Sequence, residues 1–183
     1  MIKYIDPNIK RKSKIVKNSI DVIPETNIPL PSLVEISDSG TCNRSCSFCP
    51  RSDPKYLDKK KIIDEKLNHK LCEQLSRYNY KGIFAYSGFN EPLLNKNIYK
   101  NIKVARQFLP ESRIEIVTNG DVLNKKRLEK LFECGLTLIH ISVYDGPEDA
   151  KKFLDLCKSV GLEEKKQFMI RHRYLGADQD FGL

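Results

Sequence analysis

Short β-rich runs and amphipathic helical stretches take turns along this chain, and that alternation constrains its fold more than any other feature. "LVEIS" (33–37) is followed by a segment from about Asp64 to Tyr78 in which Leu67, Leu71, Cys72 and Leu75 share one helical face. "GIFAYSG" (82–88) precedes a helical stretch over 95–109 that Pro110 stops. "RIEIVTNG" (113–120) precedes another over 124–135, opening at Asn124 and ending at Gly135. "LTLIHISVYDG" (136–146) leads into 147–161, with proline at the helix start and glycine past its end. "KKQFMIRHRYL" (165–175) predicts a fifth strand. Regular alternation of this kind predicts an α/β fold, its parallel strands joined by crossover helices in a sheet or partial barrel.

In such folds chemistry gathers beyond the C-terminal ends of the strands. The first four strands end in small or polar residues, "SDSGTC", "SGFNEP", "TNGD" and "SVYDG", which would meet on one rim. The first of these loops runs into "CNRSCSFC" (42–49), which holds three of the chain's six cysteines as Cys42-x3-Cys46-x2-Cys49. Structural zinc takes four Cys or His ligands. A fourth would have to come from Cys72, Cys134, Cys157, His69, His140 or His172. The three later cysteines fall on apolar helical faces, where buried, inert thiols are expected. His140 lies inside the fourth strand and His69 on the first helix, so core packing or solvent suits them better than ligation. A cubane iron–sulfur cluster held wholly by protein also uses four cysteines. Three would leave one iron open, as a catalytic metal site does and a structural one does not.

A chain of 183 residues holds one domain with a substantial core. No apolar run approaches the ~20 residues needed to cross a bilayer. The opening is basic: Lys3, Lys10, Arg11, Lys12, Lys14 and Lys17 face only Asp6, within a net charge of +8. It lacks the apolar centre of a secretory signal, which predicts a cytoplasmic protein. In that reducing compartment clustered cysteines serve metal binding or catalysis more often than disulfides. The charge also admits a second class of function, a zinc-stabilised basic module that binds nucleic acid. Basicity alone does not choose between them.

The motifs do more. C-x3-C-x2-C after the first strand, with Phe48 just before the last cysteine, resembles the signature of the radical S-adenosylmethionine (radical SAM) enzymes. "SGFNEPLLN" resembles that family's glycine-rich Glu-Pro motif, and "TNG" and "SVYDG" resemble its later rim loops, although "SVYDG" is one residue longer than the usual pattern. The resemblance covers about residues 32–175. It implies a [4Fe–4S] cluster on Cys42, Cys46 and Cys49, with SAM on the open iron and a 5′-deoxyadenosyl radical as the product that abstracts hydrogen from substrate. It also implies SAM contacts at Gly88, Phe89, Asn90 and Glu91 for the ammonium group, and at Phe48 near the adenine. Thr118, Asn119 and Ser142 would serve the ribose or carboxylate. Arg171 or Arg173 would pair with the carboxylate, strand alternation being expected to turn one of the two inward.

Residues 1–31 are expected to be a basic N-terminal extension and 32–183 a radical SAM core. Five β/α units are counted where the family's barrel carries a sixth, and the chain stops in "ADQDFGL". Either a partner or a second copy covers the edge of the last strand, or the natural chain runs on, with a cysteine-rich C-terminal extension of the SPASM kind; the expectation is the fragment. A truncated relative that binds the cluster and catalyses nothing is a further alternative. The expected partners are an electron donor such as flavodoxin or ferredoxin, and a substrate that is a peptide, a cofactor precursor or a carbohydrate.

Overall fold

The computed structural model describes residues 22–23, 26–57 and 59–176. The basic run 1–21 and the closing "ADQDFGL" lie outside these residues, as do the expectations placed on them. Five strands form one sheet: β1 (Leu33–Ile36), β2 (Ile83–Tyr86), β3 (Arg113–Thr118), β4 (Leu138–Val143) and β5 (Phe168–His172). Their spatial order is their chain order, and every neighbouring pair is parallel. Helices α1 (Glu65–Ser76), α2 (Ile98–Phe108), α3 (Lys125–Glu133) and α4 (Pro147–Ser159) fill the connections.

Local chemistry explains the helix ends. The Asp64 carboxylate accepts from the Lys66 N–H at 2.9 Å, and the Asn124 side chain accepts from the Arg127 N–H at 2.9 Å. Each such cap stabilises its helix by about 1 kcal/mol. Pro147 opens α4, where its missing N–H costs nothing. The helix expected from residue 95 starts later, at Ile98. Asn95 is committed elsewhere: its Oδ1 accepts from the Asn97 N–H at 2.8 Å and its Nδ2 donates to Asp38 Oδ2 at 2.7 Å. A 3-10 turn over Pro92–Leu94 precedes it.

The two faces of the sheet differ in chemistry. Ile114, Ile116, Ile139, Ile141, Val143, Phe168 and Ile170 join one buried apolar cluster with Leu128, Leu131, Phe153 and Cys157 from the helices. Fully burying side chains of this size contributes roughly 1.5–3 kcal/mol each. Alternation then places Glu115, His140, Ser142 and Arg171 on the opposite face. There His140 Nε2 lies 3.0 Å from Glu115 Oε2, with both side chains buried, and Arg113 Nε lies 3.2 Å from Glu115 Oε1. His140 is thus in the interior, as expected, but as half of an ionisable pair.

Cys72 on α1, Cys157 on α4 and Cys134 just past the end of α3 are buried free thiols, as their apolar faces predict. Burial pushes Cys72 and Cys157 up to about 12, which keeps them protonated and inert. One expectation about β5 fails. Residues two apart share a face of a strand, so alternation does not separate Arg171 from Arg173. What separates them is that β5 ends at His172 and Arg173 begins a 3-10 turn.

Candidate functional site

The loop after β1 carries all three clustered cysteines to the C-terminal rim of the sheet. Cys42, Cys46 and Cys49 are half-buried free thiols, and the Cys49 N–H donates to the Cys46 carbonyl at 2.9 Å, folding the last part of the motif into a turn. Pro50 then opens a 3-10 turn that the Ser52 hydroxyl closes by donating to the Cys49 carbonyl at 2.8 Å. The chain next doubles back. The Gly40 N–H donates to the Lys61 carbonyl at 2.7 Å, and a Cβ on Gly40 would stand 1.7 Å from the Lys59 carbonyl oxygen. Only glycine admits that approach.

Side chains of the other rim loops reach this loop directly. Asn119, just past β3, donates from Nδ2 to Asn43 Oδ1 at 2.8 Å and approaches Cys42 Sγ at 3.8 Å. The Arg44 N–H lies 3.5 Å from the same sulfur. Arg44 also forks onto two carboxylates, Asp121 after β3 and Asp145 after β4, and lies over the Tyr144 ring. Phe48 stacks on Tyr144 with centroids 5.8 Å apart and leaves more than half of its surface exposed.

The loop after β2 is held by buried carboxylates. Glu91, 1 % exposed, accepts from the Leu93 N–H (3.0 Å), the Thr118 hydroxyl (2.6 Å) and the Asn119 N–H (2.7 Å). This side chain therefore joins the ends of β2 and β3, and burial raises its pKa despite the three donors. Asp38, fully buried, accepts from Asn90 Nδ2 at 2.9 Å and Asn95 Nδ2 at 2.7 Å, and burial raises it to about 6. Gly88 sits at φ +121°, and a Cβ there would stand 2.1 Å from Ser37 Oγ. Phe89 is exposed, and the buried Asn90 Oδ1 accepts no hydrogen bond from the described residues.

The structure thus gathers Cys42, Cys46, Cys49, Phe48, Gly88, Phe89, Asn90, Glu91, Thr118, Asn119 and Ser142 at strand ends and rim loops of one sheet. Arg171 is beside Ser142 in the β4–β5 register and reaches its Oγ at 3.5 Å; Arg173 falls beyond the strand. Sequence reasoning missed Asp38, Arg44, Asp121 and Asp145. Asp38, Asp121 and Asp145 stood inside the rim segments already singled out, and Arg44 inside the cysteine motif itself.

The donor set fits an iron–sulfur cluster. Three free thiols on one loop are the donor set of a cubane that keeps one iron open, each thiolate taking a separate iron. The N–H groups near Cys42 Sγ suit a thiolate that shares charge with a cluster. Asn90 Oδ1 supplies an open acceptor in the loop expected to meet an ammonium group.

The sequence model of the Radical SAM superfamily matches residues 36–171. The S-adenosyl-L-methionine-dependent 2-deoxy-scyllo-inosamine dehydrogenase of Niallia circulans is 34% identical over 142 residues, covering 77% of this chain and 56% of its own. A GTP 3',8-cyclase of Mesorhizobium japonicum is 26% identical over 139 residues, covering 74% and 40%. The crystal structure of BtrN in complex with AdoMet and 2-DOIA matches with a TM-score of 0.67 at 29% identity, over 77% of this chain and 56% of that one. AdoMet-bound anSMEcpe, at 18% identity and a TM-score of 0.58 over 75% and 42%, shares the fold. The chain spans about half the length of these relatives. Proteins of this superfamily bind a [4Fe–4S] cluster and SAM. A match that runs from the end of β1 to β5 and takes in the cysteine loop places this chain in the radical SAM superfamily.

Proposed function

We propose that Cys42, Cys46 and Cys49 hold a [4Fe–4S] cluster with one open iron, and that the chain is the radical-generating barrel of a SAM-cleaving enzyme. One observation carries this reading. The three-cysteine loop stands on the C-terminal rim of a parallel sheet, with the Asn119 amide from β3 against Cys42 Sγ. When bound, the cluster supplies the electron that splits the sulfonium C–S bond of SAM, yielding methionine and the 5′-deoxyadenosyl radical.

The chain's own residues supply the setting. Gly88 lets the loop backbone approach the ligand closely, and Phe89, Asn90 and Glu91 offer acceptors to the SAM ammonium. A carboxylate has about four acceptor sites, of which three on Glu91 are filled from within the protein, so one remains. Glu91 acts first by fixing Thr118 and Asn119, which face the ribose or carboxylate together with Ser142. Phe48, backed by Tyr144, offers its exposed face to the adenine. Of the two arginines, Arg171 is the better partner for the SAM carboxylate, because strand pairing fixes its position beside Ser142.

The substrate is a small hydroxyl-bearing ring compound in this proposal, supported by the 34% identity to an inosamine dehydrogenase. A flavodoxin- or ferredoxin-type carrier supplies the electron. Anaerobic reconstitution tests the reading: about four irons with matching sulfide per chain are expected, and 5′-deoxyadenosine should form on adding dithionite and SAM. About one zinc and no sulfide would instead establish the zinc module.

A further inference from the structure

We infer that Arg44 is a positioning residue that clamps the cysteine loop to the ends of β3 and β4 and so fixes the loop's orientation toward the SAM site. The inference rests on the cluster-binding reading above but adds a residue which that reading does not use. Arg44 lies between the first and second cysteines. Its Nε and Nη2 reach Asp121 Oδ2 and Oδ1 at 2.7 and 2.5 Å. Its Nη1 and Nη2 reach Asp145 Oδ1 and Oδ2 at 3.0 and 2.5 Å. One guanidinium thus engages two carboxylates, each through both oxygens, from two different strand ends.

Two further contacts make the arrangement a network. Asn43 Nδ2 donates to Asp121 Oδ2 at 2.7 Å, and the Asp121 N–H donates to Asn119 Oδ1 at 3.0 Å. Asn119 in turn reaches Asn43 and Cys42 Sγ. The guanidinium carbon also lies 5.2 Å from the centroid of Tyr144, the ring on which Phe48 stacks. The position of Arg44 is therefore coupled to the first cysteine through Asn119 and to Phe48 through Tyr144.

Isolated exposed ion pairs stabilise proteins little, but planar bidentate pairing in a network is the exception. Only arginine suits it. A lysine ammonium is a point donor that cannot present parallel N–H groups to two carboxylates at once. The Arg44 side chain is 21 % exposed and Asp121 27 %, against 57 % for Asp145, so Asp121 should be the stronger half of the clamp.

The test has a cluster-free arm and a cluster-bound arm, both on the full chain. In the reduced apoprotein, hydrogen exchange over residues 42–49 should quicken about tenfold in Arg44→Ala, and nearly as much in Arg44→Lys, with α3 and α4 unchanged. Asp121→Asn should have a larger effect than Asp145→Asn. Unchanged exchange over 42–49 in both arginine variants overturns the clamp, whether or not the chain holds a cluster. In the reconstituted protein, Arg44→Lys should keep its iron yet lose the change that SAM produces in the electron paramagnetic signal of the reduced cluster. A full SAM-induced change in that variant, beside a loosened loop, would make Arg44 merely structural and overturn its positioning role. Failure of wild-type protein to take up a cluster would count against the proposed function, while the exchange result would still decide the clamp.

Discussion

Replacing Glu91 by Gln exchanges one oxygen for an NH2 group at a carboxylate that is 1 % exposed and accepts three hydrogen bonds. The new amide has two orientations. With its oxygen at the Oε1 position it keeps the Leu93 N–H and the Thr118 hydroxyl but sets its NH2 against the Asn119 N–H. With its oxygen at the Oε2 position it keeps Asn119, loses the Leu93 N–H, and leaves the Thr118 hydroxyl to turn and accept from the new NH2. Either way one buried backbone N–H loses its acceptor, at a cost of about 1–3 kcal/mol. Ala at the same position abandons all three donors and should cost about 3 kcal/mol or more. In urea, with a slope of about 2 kcal/mol/M, the Gln variant should unfold at a midpoint lower by roughly 0.5–1.5 M. The apoprotein suffices for this assay, because the hydrogen bonds are all within the chain. Midpoints unchanged in both variants would show that the three contacts contribute nothing, and the account of this loop would fall with them.

Asp38 is fully buried and its pKa is raised by burial from 3.8 to about 6, so its contribution to stability is fully present below pH 3.8 and is lost as pH rises toward 6. At roughly 1.4 kcal/mol per pH unit the whole shift is about 3 kcal/mol, and Asp38→Asn should gain on wild type by about 2 kcal/mol of it between pH 4 and 6.5 in urea titrations. A constant gap between the two proteins would refute the burial argument. Cys46→Ala should abolish the absorption near ~400 nm and the reduced-cluster signal that thiolate ligation produces, whereas Cys72→Ala, buried on α1, should leave iron content unchanged. Gly88→Ala should destabilise the chain, because φ +121° and a Cβ 2.1 Å from Ser37 Oγ both oppose it; a melting temperature equal to wild type would contradict that geometry.

Strand and helix order was legible because it rests on local periodicity, and periodicity reports which face of an element is buried. The cysteine loop and the strand-end residues were legible for a related reason: parallel alternation sends every such loop to one rim, so shared position substitutes for contact. Arg44 was not legible. Its partners lie 77 and 101 residues away, and nothing in "CNRSC" distinguishes a clamped arginine from a solvated one. Glu115 and His140 each stood alone as polar residues in apolar runs, "RIEIV" and "LIHIS", and only the pairing of β3 with β4 shows that they answer each other. The fold-back of Lys59–Lys61 onto Gly40 was hidden because a glycine beside a threonine reads as an ordinary turn. Position along the chain also failed for Arg173, since where β5 stops depends on the turn that follows.

The sheet's simple order has a consequence for how the chain assembles. The pairs β2–β3, β3–β4 and β4–β5 join residues such as Ile83 with Arg113, Glu115 with Leu138 and Ile139 with Phe168, whereas β1–β2 must bring Leu33 to Ile83 across the whole cysteine segment. Closing that longer loop costs only about 0.5 kcal/mol more. Yet β1 recovers less on docking, because its residues are half-buried or exposed while all of β2 and β4 are buried. β1 is therefore held by less apolar burial than β2 or β4, and its release would free the cysteine strap that follows it while β2–β5 stay paired. Hydrogen exchange should find the β1 amides opening before those of β3 and β4.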